Sequence, residues 1–285
     1  MKFTISISRG IGFYFGLGLC LLSCSEPNFK KYNELSELRV LALKADLPEV
    51  TAGATVTITP IVSDIVNSGA LTFTANACLD PGVAFGARPT CEGSLSKQIL
   101  ATDQAITTLS AANSFTGAAN SFSLVIPSAG VIFSGRSAIE QNNGISYLIC
   151  FILNSADGRS VSTFRRIVVS TQAVKNTNPV VAGILVDGAS FTFPFAKTVQ
   201  LSANLTLGAE SYQLQKADGS FIARTESLLT TWFLSDGSAK IYRTLGLESM
   251  EYVSAGLAPT GRKAYLIAIT RDGRGGLDFK IEISP

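Results

Sequence analysis

Residues 145–170 read ISYLICFILNSADGRSVSTFRRIVVS, and residues 264–284 read AYLIAITRDGRGGLDFKIEIS. Each is an apolar run, a turn signal and a second run. Asp-Gly between two such runs marks a hairpin, because glycine takes positive φ without cost and the aspartate side chain bonds its own turn. Tyr147-Leu148-Ile149 recurs as Tyr265-Leu266-Ile267, and Asp157-Gly158-Arg159 recurs as Asp272-Gly273-Arg274. Seven residues after each aspartate stands a phenylalanine, Phe164 and Phe279, and each block closes on a serine, Ser170 and Ser284. The expectation is one closing hairpin, used twice.

Working outward, the segments between Leu38 and the C-terminus alternate apolar and polar. Examples are Thr55–Ile61 (TVTITPI), Ser121–Ile126 (SFSLVI), Ser160–Ser170 and Thr198–Leu205 (TVQLSANL). Val, Ile, Thr and Phe dominate them, which is strand composition. Helical periodicity is scarce; Ser134–Gln141 could make one or two turns. The opening strands also correspond, with Leu38–Asp46 parallel to Val180–Asp187 and Val56 to Val199. The first half is the longer between its second strand and its closing hairpin. Thr171–Pro179 (TQAVKNTNP) is polar and ends in Asn-Pro, which disfavours regular structure through it. The fold class expected is all-β, with two successive sandwiches, each owning a core.

ELRVLALKADLPEVTAGATVTITPIV, from Glu37, resembles the opening of bacterial cell-envelope lipoproteins with tandem immunoglobulin-like domains. TESLLTTWFLSDG, followed by the block from Ala264, resembles the strand-C tryptophan and closing hairpin of such domains. This resemblance implies a signal peptide over 1–23, a tether over 24–36, an Ig-like β-sandwich over 37–171, a linker over 172–179 and a second Ig-like β-sandwich over 180–285. The first sandwich carries a cysteine-bracketed loop and extra connections. The resemblance brings no catalytic residues with it.

The N-terminus agrees. Lys2 and Arg9 supply a positive start, and Ile11–Leu22 is an apolar run with no acid before Cys24. A helix over that run would rise about 18 Å, short of a hydrocarbon core of about 30 Å, so a cleaved export signal is expected rather than a membrane anchor. Leu21-Leu22-Ser23-Cys24 resembles the bacterial lipobox, which makes Leu21, Leu22 and Ser23 the signal-peptidase recognition residues and Cys24 the lipidation site. Several acyl chains hold a protein on a bilayer where one alone is marginal. Ser25, by resemblance to the sorting rule of enteric bacteria, points to the outer membrane. The membrane, through this lipid, is the first expected partner.

Composition narrows the chemistry. The chain has 23 basic and 21 acidic side chains and no histidine. Losing Lys2 and Arg9 with the signal makes the two signs equal, so nucleic acid is not an expected partner. Without histidine there is no Ser-His-Asp or Cys-His pair and no His-ligated metal. No cofactor, metal or catalytic residue is expected, and the chain is read as a non-enzyme.

Cys78 and Cys91 bracket a Pro- and Gly-rich stretch. In an oxidising envelope a disulfide between them would contribute about 3 kcal/mol by the chain-entropy estimate. Zinc would need about four ligands, and neither histidine nor CxxC is present. Cys150 reads as a buried small hydrophobe, with a Cys78–Cys150 bridge as the alternative pairing. Trp232 reads as core. Asp157 and Asp272 read as turn residues rather than metal ligands. Glu248 and Glu251 are the nearest approach to a glycosidase pair, with nothing to place them across a cleft. Ala101–Ser123, with ANSF at 112 and again at 119, reads as a connection or edge strand. Three function classes follow: a lipid-anchored non-enzymatic protein that binds, adheres or supports, whose partner is an envelope protein or a glycan; a carbohydrate-binding accessory module; and a carboxylate-based envelope enzyme.

Overall fold

The computed structural model describes residues 32–65, 69–82, 88–94, 96–107, 120–256 and 263–284. The residues Leu21, Leu22, Ser23 and Cys24, and the first ANSF copy at 112–115, lie outside them; the second, at 119–122, is described from Asn120 onward and leads into a strand. Asn33–Pro285 forms one compact unit, and all that follows concerns it.

Its first part runs β1 (Arg39–Ala45), β2 (Glu49–Val50), β3 (Thr55–Ser63), β4 (Leu71–Leu79), β5 (Gln98–Ile106), β6 (Phe122–Val125), α1 (Ala129–Ile132), α2 (Ala138–Asn143), β7 (Ile145–Ser155) and β8 (Ser160–Val169). One sheet has the order β1-β3-β6 and the other β2-β8-β7-β4-β5. All pairs are antiparallel except β2 with β8. The opening segment therefore crosses from one sheet to the other between Ala45 and Glu49. Three strands against a sheet whose closing hairpin lies beside β4 is the immunoglobulin-type sandwich, with β5 as the extra strand of the variable type. Of the helical turns expected at 134–141, α2 is present from Ala138, held by a capping box between Ser137 and Glu140, whereas α1 lies before that span.

The second part runs β9 (Val180–Val186), β10 (Ala189–Ser190), β11 (Thr198–Leu207), β12 (Ser211–Gln215), β13 (Phe221–Thr225), β14 (Leu229–Leu234), β15 (Ser238–Ala239), β16 (Arg243–Leu245), β17 (Met250–Val253), β18 (Tyr265–Arg271) and β19 (Leu277–Ile283). Its sheets have the orders β10-β9-β11-β17-β15 and β16-β14-β18-β19, and β12-β13 is a separate hairpin. This too is an Ig-like sandwich.

Each sandwich has its own apolar interior. Phe73, Phe122 and Phe151 meet between the first pair of sheets, the Phe73 and Phe151 rings stacked at 5.0 Å. Trp232 fills the second, and its indole N–H donates to Thr244 Oγ1 at 3.1 Å, so its one polar atom is satisfied.

A third apolar cluster joins the two. Phe233, Tyr265, Ile267, Ile269 and Leu277 of the second sandwich pack with Leu35, Leu41, Ala42 and Ile61. Two local features aim these residues. In β1 the register shifts between Val40 and Ala42, a bulge that lets Leu38 and Val40 face inward before it and Leu43 and Ala45 after it. Leu41 and Ala42 are thereby turned onto the outer surface. In β18 the cause is the hairpin. Tyr147 stands ten residues before its turn aspartate, Tyr265 only seven. Side chains alternate faces along a strand, so an odd difference reverses the face. Tyr147, Ile149 and Phe151 point into the first core, whereas Tyr265, Ile267 and Ile269 point out of the second. The Asp-Gly-Arg turns correspond; the Tyr-Leu-Ile triplets do not.

Polar contacts complete the junction. Within residues 172–179, Asn176 and Asn178 enter a polar network there. The Asn176 backbone N–H donates to Glu49 Oε2 at 3.0 Å, and its side-chain amide donates to Asp272 Oδ2 at 2.8 Å. Asn178 donates to the carbonyls of Ala45 and Asp46 and accepts from the Leu277 N–H. Arg274 bridges Glu49 at 2.9 Å and Glu226 at 3.1 Å and lies 4.2 Å from the Tyr212 ring centre. Gly276 is packed so closely that a Cβ there would lie 2.0 Å from Asp272 Oδ2 and 2.7 Å from the Thr177 carbonyl oxygen. The β12-β13 hairpin also reaches across, where Asn143 exchanges two hydrogen bonds with the Gln215 backbone. At the other end of the tether range, the Leu35 N–H donates to the Leu234 carbonyl and the Leu234 N–H to that of Asn33.

Candidate functional site

The two hairpin sheets have corresponding outer faces. That of β14-β18-β19 is covered by the third apolar cluster. That of β4-β7-β8 carries the cysteines of the first sandwich and, among the described residues, leaves Ile152 and Phe164 partly exposed.

The register shows how they meet. Cys78 is opposite Leu148, and Cys150 is opposite Asn76. All four alternate with the inward Tyr147, Ile149 and Phe151, so Cys78, Leu148 and Cys150 share the outward surface. Cys78 is bonded to Cys91 (Cα–Cα 5.7 Å), and this bridge lays the segment from Arg88 to Glu92 across the strands. Cys150 is the one free cysteine among the described residues. Its thiol approaches Cys91 Sγ to 3.8 Å and the Pro89 carbonyl oxygen to 3.5 Å. It is half-buried, not sealed in the core as its apolar neighbours suggested. Burial raises its pKa, with the Asp80 and Glu92 charges adding to the effect, so the thiol is protonated at neutral pH.

The bridged segment and the strands enclose a cavity of about 360 Å³, lined in part by Asn76, Arg88, Cys91, Cys150, Ile152 and Phe164. Ile152 and Phe164 are 39% and 42% exposed and stand side by side with the cysteines at this cavity. Arg88 donates to Ser162 Oγ at 3.3 Å across one edge. Arg166 pairs with Asp80 and stands 5.0 Å from the Phe164 ring centre, which fixes that ring from one side. Lys97 and Glu92 form an ion pair at the rim. The result is a largely apolar patch with flanking charges of both signs.

The remaining sequence candidates are structural. Asp157 accepts from the Arg159 N–H, and Asp272 accepts from the N–H groups of Arg274 and Gly276, so both aspartates hold their own turns. Their arginines differ. Arg159 places both terminal nitrogens on the buried Asp64 carboxylate at 2.9 and 2.8 Å, whereas Arg274 crosses the junction. Trp232 is core. Glu248 caps a turn by accepting from the Leu245 N–H, and Glu251 lies on β17 opposite Gln200; they do not face each other across a cleft. The exposed Phe164 carried one signal in the sequence: it lies an odd number of residues from the turn, on the face opposite the core.

No protein-family model matches the chain, and no curated protein matches it. Among solved structures, the chain is similar to the two tandem V-type regions of VCBP3, a v-region-containing chitin binding protein, at 12% identity over 86% of this chain and 99% of that one, with a TM-score of 0.28. A second similarity is to a structure concerning host cell surface retention of a bacterial ice-binding adhesin, at 14% identity over 87% of this chain and 64% of that one, with a TM-score of 0.23. A third is to SGBP-B of the Bacteroides ovatus mixed-linkage glucan utilization locus, in complex with a mixed-linkage heptasaccharide. Identity there is 10%, over 88% of this chain and 47% of that one, with a TM-score of 0.21. The immunoglobulin-type architecture follows from the strand order itself.

Proposed function

We propose that the chain is a lipid-anchored, non-enzymatic binding protein of a bacterial envelope, held at the outer membrane through Cys24 and recognising an envelope protein or glycan with the open face of its first sandwich. One observation carries the recognition part: of two corresponding outer sheet faces, one is covered within the molecule, while the other keeps Phe164 and Ile152 exposed around a cavity. The anchor rests on the Leu21-Leu22-Ser23-Cys24 motif, and the outer membrane on Ser25.

Palmitate labelling and fractionation of the full chain test the anchor. Wild type should label and sediment with outer membrane, and Cys24→Ala should do neither; a labelled Cys24→Ala protein would overturn it. Pull-down from detergent-solubilised envelope tests the face. A partner held by wild type and lost with Phe164→Ala supports it, and the captured material's composition separates protein from glycan. Equal capture by both forms would move recognition elsewhere.

A further inference from the structure

The three cysteines of the first sandwich make more than one disulfide and a spectator. Cys78 and Cys150 stand on adjacent antiparallel strands, each two residues from the other's cross-strand partner. Such diagonal neighbours lie about 7–8 Å apart at Cα, whereas a disulfide spans at most about 7 Å. A direct Cys78–Cys150 bridge, the alternative pairing, is therefore disfavoured without moving the strands. Cys91 is in a different position. It sits on a connecting segment, bonded to Cys78, with its sulfur 3.8 Å from the Cys150 thiol. That is van der Waals contact between a thiol and a disulfide sulfur. Cys91 and Cys150 both line the cavity; Cys91 is buried, whereas the Cys150 thiol that must lose its proton is partly exposed.

We propose that Cys78, Cys91 and Cys150 form a thiol–disulfide exchange site, with Cys150 as the attacking thiol, Cys91 as the shared central sulfur and Cys78 as the leaving group. The Cys150 thiol gives its proton to solvent base. Its sulfur then bonds to Cys91 Sγ as the Cys91–Cys78 bond breaks, and the electron pair leaves on Cys78, which takes up a proton. One disulfide and one thiol are present before and after, so no oxidant or reductant enters. The thiolate is the attacking form, so the rate follows its fraction. Exchange is slow at neutral pH, and Cys78–Cys91 is the form the structure displays.

The exchange changes the cavity. In the first isomer the segment from Arg88 to Glu92 is tied to the end of β4, and the Cys150 thiol lines the cavity. In the second the segment is tied to the middle of β7, and a disulfide replaces the thiol in the lining. The inference does not depend on what the face recognises.

The test is disulfide mapping of the mature protein, free of added thiol and oxidant. Samples are held between about pH 7 and pH 9, quenched in acid, alkylated and digested. The expected result is a linked Cys91–Cys150 peptide together with alkylated Cys78. Both should form at a rate independent of protein concentration that rises about tenfold per pH unit while the thiol remains mostly protonated. Cys150→Ala should never yield alkylated Cys78. Cys150→Ser, which keeps a small polar group at the position, should behave the same. A wild-type map that stays at Cys78–Cys91 with alkylated Cys150 through pH 9 would overturn the proposal. So would Cys78 alkylation that persists in both Cys150 variants.

Discussion

Arg274 donates to Glu49 at 2.9 Å, joining the last hairpin of the chain to the short strand β2. The same guanidinium holds Glu226 at 3.1 Å, and both carboxylates are almost wholly buried. Two buried carboxylates around one arginine are stable only as a set. Their desolvation is large, and the hydrogen bonds from Asn176, Ser170 and the Glu210 N–H offset part of it.

Arg274→Ala should destabilise the protein by about 3–5 kcal/mol, because it leaves Glu49 and Glu226 buried without their cation. Urea denaturation measures this. A loss below about 1 kcal/mol would mean that water or a local shift replaces the guanidinium.

The network also sets a pH dependence. Burial pushes the Glu226 carboxyl above its ordinary 4.5, and the Asp272 charge adds to the rise, while the Glu210 N–H and Arg274 pull it back. A raised carboxyl favours the protonated form in the folded state. Its contribution to stability is full below the unfolded value and fades as pH rises through the folded one. Glu226→Gln, always neutral, should therefore gain on wild type as pH climbs from about 4 to about 7. Denaturation midpoints across that range check the sign.

Arg159 and Arg136 offer a contrast of context. Arg159 grips a carboxylate with no exposure, through two parallel bonds, while Arg136 and Glu140 are an exposed helical pair at 3.2 Å. Arg159→Ala should lower the thermal midpoint clearly more than Arg136→Ala, which should be near neutral. Arg159→Lys should recover only part of the loss, since an ammonium cannot make the paired geometry.

Residues 176–285 expressed alone should keep Trp232 in its core, with blue-shifted emission. The fragment should nevertheless self-associate, because Phe233, Tyr265, Ile267 and Ile269 lose their cover. Sedimentation measures the association, and Ile267→Lys in the fragment should reduce it. A monomeric fragment without that change would show that the third cluster contributes little.

Much of this was legible in the chain. Asp-Gly-Arg marked both closing hairpins, and the period-2 segments Thr55–Ile61, Ser160–Ser170 and Thr198–Leu205 fall within β3, β8 and β11 or at their ends. What failed was matching by triplet. Tyr-Leu-Ile is the same word in both hairpins, yet its distance from the turn differs by an odd number, so it serves the core once and the junction once. The partners of Arg159 and Arg274 were not readable either, since Asp64, Glu49 and Glu226 are distant in sequence and only packing brings them together. The polar stretch 172–179 joins β8 to β9 without regular structure, but the partners of its asparagines were not readable, because the groups they satisfy are distant in sequence. Cys150 looked buried because its neighbours in sequence are apolar, but alternation puts it on the outer face.

The contacts of Asn33 and Leu35 with Leu234 bear on mechanics. A pull transmitted along the chain toward Asn33 does not reach β1 first. It meets two backbone hydrogen bonds to the end of β14 and a leucine seated in the third cluster. Tension would thus be borne initially by the sandwich that comes later in sequence, through an element running parallel to the strand end it grips. Such bonds share a load along the strand direction instead of opening one after another. The first sandwich, with its open face, would be shielded from strain until that clasp yields.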